Sequence, residues 1–119
     1  MTLGAVNVQA ADPELLAGFW CELLGGSRSP GSSYMPPAGP GGFAMFFQQL
    51  ARPRADEQVT HLDLTVPWGD RQSLVARAVA LGATHQWDVL TEHAHVRWTT
   101  LADPEGNLFC VAEHPPRPT

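Results

Sequence analysis

The sequence predicts an α+β fold in which helices cover antiparallel or mixed sheet. Two observations carry that prediction. A strand followed by a helix occurs twice, over Val6–Gly25 and again over Val59–Gly82, and the two helices are nearly equal in length. After each helix come strand-like stretches in succession, where a parallel α/β fold would return to another helix. The duplication is one of pattern rather than of residue identity.

In the first half, Val6 and Val8 alternate with Asn7 and Gln9, the period of a strand with one covered face. Asp12 is placed to cap a helix, and Pro13 suits its first turn, where the missing donor costs nothing. Leu15, Leu16, Phe19, Trp20, Leu23 and Leu24 then recur at helical spacing until Gly25 and Gly26 stop the helix. The Ser-, Pro- and Gly-rich stretch 27–42 predicts a turn at Pro30–Gly31 and a short strand over Ser32–Met35, ended by Pro36 and Pro37. In `GFAMFFQQL`, Phe43, Met45 and Phe47 face one way and Ala44, Phe46 and Gln48 the other. That strand is apolar enough on both faces to be covered on both.

The connector `ARPRADEQ` is polar and predicted to be exposed. The next strand, `VTHLDLTV`, puts His61, Asp63 and Thr65 on one side and Leu62, Leu64 and Val66 on the other. Asp70 offers a cap for a helix carrying Leu74, Val75, Ala78, Val79 and Leu81, and Gly82 stops it. Three strands follow, in `THQWDVL`, `HVRWTTLA` and `NLFCVAE`, with the turn-forming `DPEGN` between the last two. The proline-rich `HPPRPT` reads as an exposed tail.

At 119 residues and 44% apolar content, the chain is expected to form one domain with a real core. No stretch approaches the length of a membrane span, and no export signal is evident, which makes the cytoplasm the expected location. The formal charge is −5, with no lysine and scattered arginines. Nucleic-acid binding would need a concentrated cationic surface, so it is not expected. Cys21 and Cys110 form neither a disulfide framework nor a short-spaced zinc motif and read as buried thiols.

Three readings of His61 are open from the residues alone: a lone metal ligand, a cleft residue that hydrogen-bonds or exchanges protons with a small molecule, or a structural or solvent-facing residue. Asp63 shares its strand face, but no serine completes a nucleophilic triad. His93 and His95 lack a defined third ligand, and Glu92 is a reserve acid–base group. Trp98, followed by Thr99 and Thr100, suits an aromatic wall as well as it suits a core. Trp68 is a possible rim contact, while Trp20 belongs to the apolar face of its helix. Asp103, Gly106 and Asn107 are explained as turn residues. Cys110 would be reactive only with a low thiol pKa and access.

The stretches `FWCELLG` and `WTTLADPEGNLFCVAE` resemble glyoxalase-like and bleomycin resistance-like proteins of the vicinal oxygen chelate superfamily, over about Val6 to Glu113. The resemblance implies two paired βαβββ modules, about 4–50 and 58–113, with curved mixed sheet around a cleft and commonly a homodimer. Metal-dependent members place ligands on the first and last strands of each module. Here those positions are approximately Ala5, Phe46 or Phe47, His61 and Cys110, and only His61 matches in kind. No metal or other cofactor is therefore expected. The resulting expectation is a homodimeric, metal-independent protein whose cleft draws on Phe47, His61, Asp63, Trp98 and Cys110. Its ligand would be a small organic molecule, carbonyl-containing or aromatic. Catalysis, as an isomerase or lyase, would have His61 move a proton. The alternatives are a non-catalytic ligand- or drug-sequestering protein and a dimeric interaction scaffold.

Overall fold

The computed structural model describes residues 1, 3–52 and 58–116. Residues 53–57 of the polar connector and 117–119 of the tail lie outside them. The chain divides into two compact units, Met1–Asp56 and Glu57–Thr119. It is α+β throughout, with one mixed sheet and one helix in each unit. No helix among the described residues is long and apolar enough to cross a membrane.

The first unit comprises β1 (Ala5–Ala10), α1 (Pro13–Leu24), β2 (Tyr34–Met35) and β3 (Ala44–Gln49). Its sheet has the order β1-β3-β2, with β1 parallel and β2 antiparallel to β3. Asp12 caps α1 as its position predicts, its carboxylate accepting from the Leu15 amide at 3.2 Å. Gly25 ends the helix at φ 68°, a conformation that favours glycine. Leu16, Ala17, Phe19, Trp20 and Leu23 are buried, and Met45, Phe47 and Met35 are buried on the strands. The register pairs Val6 with Met45 and Val8 with Phe47.

The opposite face of β3 departs from the expectation that both sides would be covered. Phe46 remains 39% exposed, with another exposed ring, Tyr34, at 6.1 Å between centroids. The neighbours that the register sets beside Phe46 are Tyr34 and Asn7, which leave the ring open. The short strand is also briefer than predicted, confined to Tyr34–Met35.

The second unit comprises β4 (Leu62–Val66), α2 (Arg71–Leu81), β5 (Thr84–Val89), β6 (Arg97–Ala102) and β7 (Leu108–Glu113). The sheet order is β4-β7-β6-β5, with β4 parallel to β7 and the rest antiparallel. α2 packs against β7, β6 and β5. Leu101, Phe109 and Val111 are fully buried. The β6–β7 hairpin closes on Asp103, whose carboxylate accepts from the Glu105 and Asn107 amides at 2.9 Å, while Gly106 takes φ 85°. These are the turn roles that the `DPEGN` residues predict.

α2 is capped differently from the prediction. The Asp70 side chain makes no capping hydrogen bond. The Glu113 carboxylate, at the end of β7, accepts from the Gly69 amide at 2.9 Å and the Arg71 amide at 3.3 Å. A negative group at a helix N-terminus is favourable, and its reach from another strand ties α2 to the sheet. Arg71 and Arg97 approach the same carboxylate at 3.4 and 3.2 Å, and Arg97 lies over the Trp68 ring at 3.8 Å.

Candidate functional site

Strand alternation sorts the second unit's sheet into two faces. Thr99, Leu101, Phe109, Val111 and Glu113 are buried. The alternate residues line a cavity of about 550 Å³. That volume lies within the range of small-molecule sites. Register explains the cavity's floor. Asp63 pairs with Cys110, Cys110 with Thr100, and Thr100 with Trp87, so one row crosses all the strands of the sheet. The next row places Thr65 beside Ala112 and Ala112 beside Trp98.

His61 stands immediately before β4 and lines the same cavity. Its Nε2 is 3.1 Å from Asp63 Oδ1. A carboxylate only accepts, so the shared hydrogen belongs on Nε2 and Nδ1 is left as the acceptor in the neutral ring. The two side chains are 49% and 67% exposed, so the pair adds little to stability. Its significance is the orientation it gives the imidazole.

Cys110 is buried at 8% exposure, with its sulfur 3.3 Å from Thr100 Oγ1. Burial pushes its thiol pKa up, the hydrogen bond with Thr100 opposes part of that rise, and the neighbouring Asp63 carboxylate adds to it. Cys110 is therefore a retained thiol, a weak donor facing the cavity, and not a ready nucleophile.

Of the residues singled out from sequence, His61, Asp63, Trp98 and Cys110 meet at this one cavity. Phe47 does not join them. It sits in the first unit at 1% exposure, within that unit's core, and the ring that β3 leaves open is Phe46. Glu92 is exposed, held below its ordinary pKa by its own amide and that of Thr91, and lies outside the cavity lining. His93 stacks on Trp98 with ring centroids 5.5 Å apart, and His114 Nδ1–H donates to the His95 carbonyl at 3.2 Å. These histidines brace the segment leading into β6.

Trp87 and His114 also line the cavity and were not singled out from sequence. For His114 a signal existed, since Leu108, Cys110, Ala112 and His114 continue one period-2 series beyond the last strand. Trp87 gave no such signal, because a register shift between His85 and Trp87 breaks the alternation.

The metal set implied by the resemblance can be tested against these side chains. Ala5 and Phe46 or Phe47 supply no donor in the first unit. In the second, donor atoms of His61, Asp63 and Cys110 lie within 4.8 Å of one another. A tetrahedral zinc site, with bonds of about 2.0–2.3 Å, sets its donors roughly 3.3–3.8 Å apart and needs the thiol ionised. A mixed nitrogen, oxygen and sulfur trio is unlike the oxygen-rich set that a hard divalent ion takes. The residues present do not fit the four-position metal site that the resemblance implies.

Residues 5–112 match the glyoxalase-like domain family. Among solved structures, a glyoxalase/bleomycin resistance protein/dioxygenase family enzyme from Burkholderia phytofirmans PsJN is similar at a TM-score of 0.77 and 20% identity, covering 97% of this chain and 100% of that one. A glyoxalase-related enzyme from Fulvimarina pelagi has a TM-score of 0.73 at 19% identity, over 97% of this chain and 89% of its own. A glyoxalase/bleomycin resistance protein from Albidiferax ferrireducens T118 reaches 0.70 at 18% identity, over 95% and 98%. No curated protein matches. At these identities the structures speak for the fold alone, and the family match covers nearly the whole chain. The chain belongs to the glyoxalase-like domain family, within the vicinal oxygen chelate superfamily.

Proposed function

We propose that the chain binds a small, partly aromatic organic molecule in the second unit's cavity without the help of a metal. The observation that carries this reading is the convergence of the His61–Asp63 pair, the Cys110 thiol and the Trp87 and Trp98 rings on one concavity. Trp rings supply broad apolar contact, and a few polar groups at one end give direction. The chemistry that suits the pair is proton transfer on a carbonyl compound, of the isomerase or lyase kind. Asp63 holds Nε2–H, which leaves Nδ1 to take a proton from carbon next to the carbonyl and to return it. The homodimer expected from the sequence is part of this proposal, and light scattering on the purified chain tests it.

Acetophenone in heavy water is a direct test, because its methyl protons exchange when a base removes them. Chelator-treated protein is expected to bind it saturably by calorimetry and to speed exchange observed by proton NMR. His61→Ala should keep the binding and lose about 10²–10⁴ of the exchange rate. Exchange unchanged in His61→Ala would overturn the acid–base role, and binding that requires a stoichiometric metal would overturn the metal-free reading. Binding without exchange would select the second reading, a non-catalytic sequestering protein. That reading is favoured by the Trp87 and Trp98 rings in the lining, which hold an aromatic ligand without taking part in chemistry.

A further inference from the structure

The cavity face and the opposite face of the second unit's sheet differ in charge as well as in burial. Arg71 and Arg97 both belong to the face under α2, where Glu113 holds them. Arg71 also donates to Thr99 Oγ1 at 2.6 Å and approaches Asp88 at 3.7 Å. Arg77 lies on α2. The chain has no lysine. Among the described residues, none that lines the cavity is therefore a permanent cation, and Asp63 is its carboxylate.

This distribution decides what a ligand can carry. A phosphate, sulfonate or carboxylate entering the cavity would meet Asp63 and, among the described lining residues, the imidazoles of His61 and His114 but no arginine, and burying an unpaired charge is costly. A cationic nitrogen would meet the Asp63 carboxylate and the faces of Trp87 and Trp98, both of which attract it. The net charge of −5 adds a general bias towards cations in the encounter.

We propose that the ligand class is a flat aromatic compound bearing a cationic nitrogen, its ring against Trp98 and Trp87 and its charge at Asp63. The proposal rests on the reading of this cavity as a small-molecule site. Because Asp63 is well exposed, the electrostatic gain is modest. An exposed cation–π contact or ion pair gives a preference of about two- to fivefold.

Three matched probes test it: 1-naphthylmethylammonium, 1-naphthalenemethanol and 1-naphthoate. Each is titrated by calorimetry and tryptophan fluorescence in a buffer above the histidine titration range. The ammonium probe should bind about two- to fivefold tighter than the alcohol, and the naphthoate weakest. Asp63→Asn should erase the ammonium probe's advantage over the alcohol, and added salt should narrow the same gap. Naphthoate binding as tightly as the ammonium, or an ammonium advantage that survives Asp63→Asn, would overturn the charge assignment while leaving the cavity intact. Failure of all three to bind, or binding indifferent to Trp98→Ala in a variant of unchanged circular dichroism, would overturn the cavity reading and this inference with it.

Discussion

The first unit starts its helix with Asp12, the residue just before it, whereas the second relies on Glu113, 44 residues beyond Gly69. The sheets differ in the same sense. In the first, the face bearing Phe46 and Tyr34 carries aromatic rings. In the second, one row runs Asp63, Cys110, Thr100 and Trp87 across the sheet. Similar openings in sequence thus lead to a unit held by local signals and a unit organised by long-range ones. The unit that holds the cavity is the one whose charged groups are sorted by face. Arg71, Arg97 and Glu113 are gathered under α2, which leaves Asp63 to set the charge of the cavity.

The sharpest way to break this contrast is to compare Phe47 with Trp98. Phe47 is 1% exposed in the first unit, so Phe47→Ala should cost about 3–5 kcal/mol of stability in urea denaturation. It should leave probe affinity unchanged in the protein that remains folded. Trp98→Ala should do the reverse, with a small stability loss and an affinity loss of several-fold. If Phe47→Ala lowers affinity without lowering stability, Phe47 belongs to a ligand site and not to a core.

That contrast also marks where the sequence was legible. The helices, the closing hairpin and the shared face of His61 and Asp63 follow from short-range periodicity and turn chemistry, which act through neighbours in the chain. Phe47 and Phe46 were harder to tell apart, because both neighbours on β3 are phenylalanine and alternation alone does not say which face a helix covers. The depth of Cys110 beneath Asp63 depends on strand register, a long-range property. Trp87 was hidden by the register shift before it, and the cap of α2 by its origin on the last strand.

The second prediction concerns that borrowed cap. Burial raises the Glu113 pKa, but the Gly69 and Arg71 amides, the Arg97 charge and the Arg71 side chain outweigh it and hold the carboxyl below its ordinary 4.5. Asp88 is also lowered, chiefly by the Thr99 hydroxyl and with help from His85. A carboxyl whose pKa falls on folding stabilises the folded state above the unfolded value. That contribution is lost as pH drops below 4.5 towards the lowered folded value. Glu113→Gln should cost about 1.5–3 kcal/mol near neutrality, since bonds to a charged group are replaced by bonds to a neutral one. It should also flatten the acid limb of a stability–pH curve measured by urea denaturation. An acid limb as steep as that of the parent chain would assign the pH dependence to other carboxylates.

The smallest effect tests the local cap against the borrowed one. Asp12→Ala removes an acceptor for the Leu15 amide and should cost about 1 kcal/mol, the usual value of a helix N-cap. Asp70 holds the matching sequence position before α2 but makes no side-chain capping bond, so Asp70→Ala should change stability by no more than about 0.5 kcal/mol. Measured together by urea denaturation, the two substitutions separate a cap read from sequence position from a cap built by the tertiary fold. A cost at Asp70 equal to that at Asp12 would mean that α2 is started locally after all. Glu113 would then act on the arginines alone, and the tie between the end of β7 and the start of α2 would lose its energetic meaning.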